Sequence, residues 1–312
     1  MLHGDELLAQ GRGAEIPLGV SRFCAARGVT SEYAYKRRSI EDGRVMYHAH
    51  LGLGTWSATA AALETVTGEL AERGHVLDRF GLALDRGMGL PPQRRALVPK
   101  ETGPRLEDAD WAQLAAVADT QPHLGDFMIG TEASLENTRH ALAAGITTVG
   151  NLAQYLAFGT PGGSDEEALP SATVRALGLM AAGRGAGAVV HSYLDDGPAM
   201  QLSSYGHYLA WAALEIRVVE GMTGARLAHC FGGLVPQPAA RAFLSLALQR
   251  LHGADDVGSM VYGNTVDYTR DHARNEAVLG EYLLADIATQ LRSPSGHAVN
   301  PVPLTENQRI PS

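Results

Sequence analysis

The chain has 312 residues, 45% of them hydrophobic, and a formal net charge of −9 at neutral pH. This is enough apolar material for one large core, and a single α/β domain commonly fills such a length. An acidic balance with no Lys/Arg-rich run excludes nucleic acid as a partner, and no apolar run approaches the ~20 residues of a membrane span.

Residues 1–43 are expected to form an irregular, polar N-terminal arm. Its opening, "MLHGDELLAQGRGAEIP", has two early acids and lacks the apolar stretch of a signal peptide. Cys24 and Cys230 are isolated and belong to no CxxC, which reads as two reduced thiols in a cytoplasmic protein.

From residue 44 one unit repeats. Apolar, β-rich runs occur at "RVMYHAH" (44–50), "DRFGLALD" (78–85), "TQPHLG" (120–125), "ITTVGN" (146–151), "GAVVHS" (187–192), "ARLAHC" (225–230), "SMVYGN" (259–264) and "GHAVNPVP" (296–303). Their ends fall roughly 28–40 residues apart, room for a strand, a crossover helix and two loops. Helical patterns lie between them. "SATAAALETVTGELAERG" stops at Gly74, "SLENTRHALAAG" offers Ser134 as an N-cap and ends at Gly145, "AARAFLSLALQRLHG" ends at Gly253, and "NEAVLGEYLLADIATQLR" is long and amphipathic. Eight strands alternating with helices predict an α/β fold with a parallel sheet, closed as a (β/α)8 TIM barrel over 44–312. An open doubly wound sheet is the alternative, but no GxGxxG follows the first strand. After the eighth run, "LTENQRIPS" leaves no room for a last helix. Either "SEYAYKRRSIEDG" from the arm covers that seam, or the sequence is a piece of a longer protein.

In such barrels the chemistry sits where the strands end. Those ends carry His48, His50, Asp85, His123, Asn151, His191, His229, Asn264 and Asn300. The loops beyond add Arg86, Gln154, Asp195, Asp196, Asp267, Thr305 and Glu306. Any single histidine reads as a satisfied core or surface residue. Polar side chains at every strand end are an odd way to build a core, because each buried polar group needs a partner. We therefore expect a site with His48, His50, Asp85, His191 and His229 as catalytic candidates. Arg86, His123, Asn151, Gln154, Asn264, Asn300 and Glu306 are the candidates for holding substrate or cofactor. The adjacent Asp195 and Asp196 also read as a turn and helix-cap pair. The glycine clusters in "TPGGSD", "CFGGL" and "GNL" read as loop geometry, since none has P-loop spacing or its lysine.

Two resemblances bear on the chemistry. The HxH of His48 and His50, with His191 and His229 on later strands, resembles the ligand placement of the amidohydrolase superfamily, which implies Zn2+ and an activated water. The sequence departs from that pattern at Asn300, where the family has an aspartate, and at Asn151, where it has a bridging lysine or glutamate. The second resemblance is longer. "GITTVGNLAQYLAFGTPGG" is similar to the "TVGxGxxGNxxQD" segment of the glutamate mutase large (epsilon) subunit family, and "NPVPLTENQRIPS" to its "xPxTE" region. "HAHLG", "ALDRGMGLP", "GDFMIGTEASLENT", "HSYLDDG" and "MVYGNTVDY" resemble barrel relatives of that family. This resemblance, over about 44–312, implies a (β/α)8 barrel working with adenosylcobalamin by a radical rearrangement of a small carboxylic or amino acid. No "DxHxxG" corrin-binding motif occurs in the chain, so the resemblance also implies a separate small cobalamin-binding subunit and an oligomeric assembly. Arg86 alone stands beside a strand end as a carboxylate-binding arginine, which makes glutamate itself a poor substrate candidate. A barrel that serves only as a non-catalytic binding subunit is the third class.

Overall fold

The structure is a computed structural model, and it describes residues 3–306 except 16, 17, 158, 160–162, 164, 203 and 254. Three helices precede the first strand: α1 (Gly4–Arg12), α2 (Arg22–Ala26) and α3 (Glu32–Glu41). The arm is therefore not irregular. Ser21 and Ser31 cap α2 and α3 through their side chains, accepting from Cys24 N and Ala34 N. Leu7, Leu8, Phe23 and Cys24 are buried against the rest of the chain.

Eight short strands follow: β1 (His48–Leu51), β2 (Arg79–Leu82), β3 (Gln121–His123), β4 (Thr148–Val149), β5 (Val189–Tyr193), β6 (Leu227–Phe231), β7 (Met260–Val261) and β8 (Ala298–Val299). Every expected run contains one of them, and all the pairings are parallel. The expected single closed eight-stranded sheet is not what forms. The strands make two sheets, β1-β2-β3 and β4-β5-β6-β7-β8. At the seams only isolated bridges occur, Leu124 with Val149 and Tyr47 with Val299. The physical reason is local. Pro122 within β3 and Pro301 and Pro303 after β8 have no N–H to extend a ladder, and β4 and β8 are two residues long. Gly150 N–H to Leu124 O (2.9 Å) and Val299 N–H to Met46 O (2.8 Å) cross the seams, and from the loop after β3 Met128 N and Ile129 N donate to Gly150 O (2.9 and 3.2 Å).

Helices alternate with the strands: α4 (Trp56–Glu72), α5 (Pro92–Arg95), α6 (Asp108–Leu114), α7 (Ser134–Ala143), α8 (Gln154–Ala157), α9 (Ala168–Ala182), α10 (Tyr205–Ile216), α11 (Pro238–His252) and α12 (His272–Arg292). Thr55, Ser204 and Asp271 cap α4, α10 and α12. Ser134 opens α7 as its first helical residue, and Ala133 takes the cap position. A π-helical stretch, Arg217–Thr223, continues α10. No described helix is long and apolar enough to cross a membrane. Both cysteines are free and buried.

The arm does not stand in for a last outer helix. α3 lies across the entrances of the strands. Lys36 Nζ donates to Gly258 O, Ser259 O and Gly296 O (2.6–2.7 Å), just before β7 and β8, and Tyr35 Oη donates to Asp78 before β2. Ser21 of the α2 cap donates to Gln121 at the start of β3. One end of the strands is thereby closed, and the site must lie at the other.

Candidate active site

The inner side chains form layers above α3. Lowest is a buried charge cluster, in which Glu32 faces Arg79 Nε at 3.0 Å and Lys36 Nζ at 3.8 Å. Arg79, the first residue of β2, then directs its remaining N–H groups upward. Nη2 donates to His123 Nδ1 (2.6 Å) and to Ser259 Oγ (3.2 Å), and Nη1 donates to Ser259 O (3.2 Å). Above this layer four imidazoles sit edge to edge. Ring centroids are 4.6 Å apart for His48 and His50, 5.9 Å for His48 and His123, and 4.6 Å for His123 and His191.

The hydrogen bonds assign the protons. Guanidinium has only donors, so His123 Nδ1 accepts and its proton sits on Nε2. Ser259 Oγ accepts from Arg79 and passes its own hydroxyl proton to His191 Nδ1 (2.7 Å), which places the His191 proton on Nε2 as well. His48 Nε2 and His50 Nδ1 share one hydrogen at 3.2 Å. All four rings are held neutral. Burial, then the Arg79 charge, pushes His50 down to about 4. Burial first, then neighbouring charges, holds His48, His123 and His191 well below the usual imidazole range. Room for this stack comes from Gly81, where a Cβ would lie 2.5 Å from His50 Nε2 and 2.8 Å from His48 Nε2.

Of the four, His50 and His191 reach a cavity of about 560 Å³ at the strand ends, which Asn151, Asn300 and Glu306 also border. Two acids on its wall, Asp126 and Asp196, are held by amides. Asn151 Oδ1 accepts from Ala153 N and Tyr193 N, which turns its Nδ2 to Asp196 (2.9 Å). Gln154 Oε1 accepts from Phe127 N, which turns its Nε2 to Asp126 (2.9 Å). Burial raises Asp126 to about 6, and burial together with Asp126 raises Asp196 to about 8. Near neutral pH Asp196 therefore carries a proton that it can donate. Tyr193 and Tyr262 stack at 5.5 Å beside His50, and the Tyr193 hydroxyl fits only because residue 233 is glycine, whose Cβ would lie 2.0 Å from it.

Several expected site residues lie elsewhere. His229 alternates to the outer face of β6, where Nε2 meets Glu215 of α10 (3.0 Å) and Nδ1 meets His252 of α11 (2.7 Å). Asp85 is consumed in its own loop, accepting from Gly87 N, Glu101 N and Arg105 Nε. Arg86 bonds Gly159 O and lies 3.6 Å from Glu101, so it offers the cavity no cation. Asn264 closes a turn, accepting from Val266 N and donating to Asp267. Asp195 ties loops together through Tyr208 Oη, Gly232 N and Leu234 N, as a turn residue does. Gly232 and Gly233 are loop geometry, whereas most of "TPGGSD" falls outside the described residues.

The four histidines of the zinc reading do not converge. His229 faces the helices, the hydrogen bond between His48 and His50 takes up one of their lone pairs, and His191 Nδ1 already accepts from the Ser259 hydroxyl. A ligating histidine gives its second N–H to an acceptor, the reverse of what Arg79 and Ser259 impose here. Asn300 lies beside His50, and its amide nitrogen can donate to His48 O (3.1 Å).

The chain matches no protein-family model and no curated protein. The site thus has to be read from its geometry. Asp126, Arg79, Ser259, Tyr193 and Tyr262 belong to this site without having been expected in it; of these Asp126 alone had a sequence signal. Its signal was its place in "GDFMIGTEASLENT", directly after the β3 histidine loop.

Proposed function

We propose that the chain is the catalytic subunit of an adenosylcobalamin-dependent mutase that rearranges a small carboxylic or amino acid in the cytoplasm. The observation that carries this reading is the donor-rich cavity: the His191 imidazole fixed by Ser259 on one side, protonated Asp196 on the other. A radical rearrangement needs its reactants held, oriented and kept from water; it does not need a strong base or an activated water.

The residues present suit that use. A volume of about 560 Å³ lies in the range of small-molecule sites, ~300–1,000 Å³. It suits a small acid with a nucleoside-sized group, and the corrin would be brought by a second, corrin-carrying protein. When bound, the cofactor supplies the carbon radical that begins hydrogen abstraction. The chain's own groups bind and orient. Asp196 donates to a substrate carboxylate from its protonated form, replacing the arginine that the mouth lacks. His50 and His191 offer neutral imidazole edges to amine, hydroxyl or carbonyl groups. Asn151 and Gln154 act through the two aspartates and are positioning residues. Tyr193 and Tyr262 wall the cavity with apolar ring faces and exclude water.

The test mixes the chain with a small corrin-carrying protein, adenosylcobalamin and a panel of small acids, followed by electron paramagnetic resonance. The expected result is a substrate-dependent cobalt(II)–radical signal, reduced at least tenfold in His191→Ala. Absence of the signal across the panel, with hydrolysis of amides or lactones by the chain alone, would overturn the reading.

A further inference from the structure

A second cluster lies on the far side of β6, between the strand and its outer helices. It joins Glu215 of α10, His229 of β6, His252 at the end of α11, Glu220 in the π-helical stretch and Asp256 in the loop before β7. Its proton arrangement can be followed from one end. Glu215 is a carboxylate acceptor, so His229 Nε2 donates to it (3.0 Å). His229 Nδ1 is then a bare lone pair and must accept, so His252 Nε2 donates to it (2.7 Å). His252 Nδ1 is left with a lone pair, and it has no hydrogen-bond partner among the described residues.

That lone pair points where an acceptor should not. Its neighbours are carboxylates, with Glu220 Oε1 at 3.9 Å. His252 Nδ1, one oxygen of Glu220 and one of Asp256 all lie within 4.8 Å of one another. The His252 side chain is only 5% exposed, so water does not relieve the conflict freely. Arg226 does not resolve it. Its guanidinium is spread over the Tyr33 ring (3.8 Å) and bonded to Arg184 O, and its Nε stays 3.7 Å from Asp256 without a hydrogen bond. Three lone-pair donors converge, and among the described residues only Glu220 Oε1 of the three has a hydrogen-bond donor, Leu227 N (3.1 Å), which leaves it a further lone pair.

The geometry points to a divalent transition-metal site, of the kind Zn2+ fills, with His252 Nδ1, Glu220 and Asp256 as ligands and a solvent position as the fourth. One nitrogen and two oxygens are a donor set such ions accept. The relay from His252 through His229 to Glu215 supplies the outer support that ligating histidines use, fixing the tautomer and raising the basicity of the ligand. Ligands at about 2.1 Å from zinc sit roughly 3.4 Å apart, so the three groups close on the ion by about 1 Å. The bound ion would pin the end of α11 to the stretch that follows α10 and to the loop entering β7. This site is separate from the cavity at the strand ends and does not depend on the function proposed for it.

The test uses the full chain, dialysed against a chelator and then titrated with Zn2+ by calorimetry, with Co2+ absorption as a second readout. One ion per chain is expected, with a zinc-dependent rise in melting temperature. Glu220→Gln and Asp256→Asn should each weaken binding at least tenfold. Glu215→Gln, which touches no ligand atom, should weaken it by about 10–100-fold through the relay. Asp256 lies in a half-buried loop, so Asp256→Asn serves as the folded control if a helix variant fails to fold. His50→Ala should leave zinc affinity unchanged. No binding at millimolar Zn2+, or binding indifferent to both Glu220→Gln and Asp256→Asn, or binding lost in His50→Ala, would each overturn the assignment.

Discussion

Replacing Arg79 with methionine tests the proton assignment and the buried charge cluster together. Arg79 is 3% exposed and makes the 3.0 Å contact to Glu32, with three N–H bonds to His123 and Ser259. Methionine fills most of the space, so the cavity contribution is small and the loss comes from stranded polar groups. Removing one partner of a buried ion pair costs about 3–5 kcal/mol. Glu32 keeps Lys36 Nζ at 3.8 Å, so the lower end, about 3 kcal/mol, is expected. Glu32→Gln in the same chain removes the stranded charge, and the double variant should recover about 1–2 kcal/mol relative to the sum of the single losses. Denaturant unfolding measures both. Nitrogen-15 NMR of the histidine side chains reads the second consequence, since His123 loses the donor that holds its proton on Nε2, whereas His191 keeps its donor, Ser259 Oγ. A loss below about 1 kcal/mol, with strictly additive single variants, would refute the account of the cluster. An unchanged His123 tautomer would refute the proton assignment.

Stability should rise with pH between about 4 and 6.5. Six imidazoles (His48, His50, His123, His191, His252 and His297) are depressed below 6.5 in the fold, so in that window the unfolded chain binds more protons. Asp196, raised to about 8, has the opposite sign: from its ordinary 3.8 up to about 8 the folded chain holds the extra proton, so stability falls as pH rises. The imidazoles outweigh it below 6.5; above about 7 Lys36, which burial pushes down to about 7, adds a rise with pH, because the unfolded chain keeps that proton up to its ordinary 10.5. Urea melts of Asp196→Asn from pH 6.5 to 8.5 should therefore show stability changing with a more positive slope than in the parent. Gly81→Ala should cost about 1–3 kcal/mol and displace His50, because its Cβ would lie 2.5–2.8 Å from two imidazoles; a variant as stable as the parent, with unshifted His50 resonances, counts against the stack. Asp286→Ala strands Arg241, which is buried and bonded to Gly232 O, Val235 O and Tyr262 O, and should cost about 3–5 kcal/mol in thermal or chemical unfolding.

Strand positions were legible because each run is short, apolar and followed by a turn, and that pattern survives in a single sequence. How the strands closed was not. Pairing across a seam depends on the N–H groups that Pro122, Pro301 and Pro303 lack, and the strand count carries no trace of it. Histidines at strand ends were legible as a set, but their faces were not. His191 and His229 follow similar apolar runs, yet one points inward to Ser259 and the other outward to Glu215. Period-two alternation fixes which residues share a face and leaves open which face is inside. Arg79 was not legible because it sits at the start of β2, whereas the expected site residues stand at strand ends. Its reach to His123 and Ser259 is set by the tertiary structure alone. The arm read as irregular because its helices are short and its buried residues, Glu32 and Lys36 among them, are polar.

Lys36 ties residues near the start of the chain to carbonyls at Gly258, Ser259 and Gly296, separations of 222 to 260 residues. On a ribosome, α3 emerges long before its acceptors exist. Its ammonium must stay in water until β7 and β8 arrive, because burying it earlier would leave the charge without those carbonyls. α3 therefore docks among the last elements, although it is synthesised among the first. Such contacts carry a high loop-closure cost and slow the search for the native state. A nascent chain stalled before residue 296 would hold the entrance to its strands open.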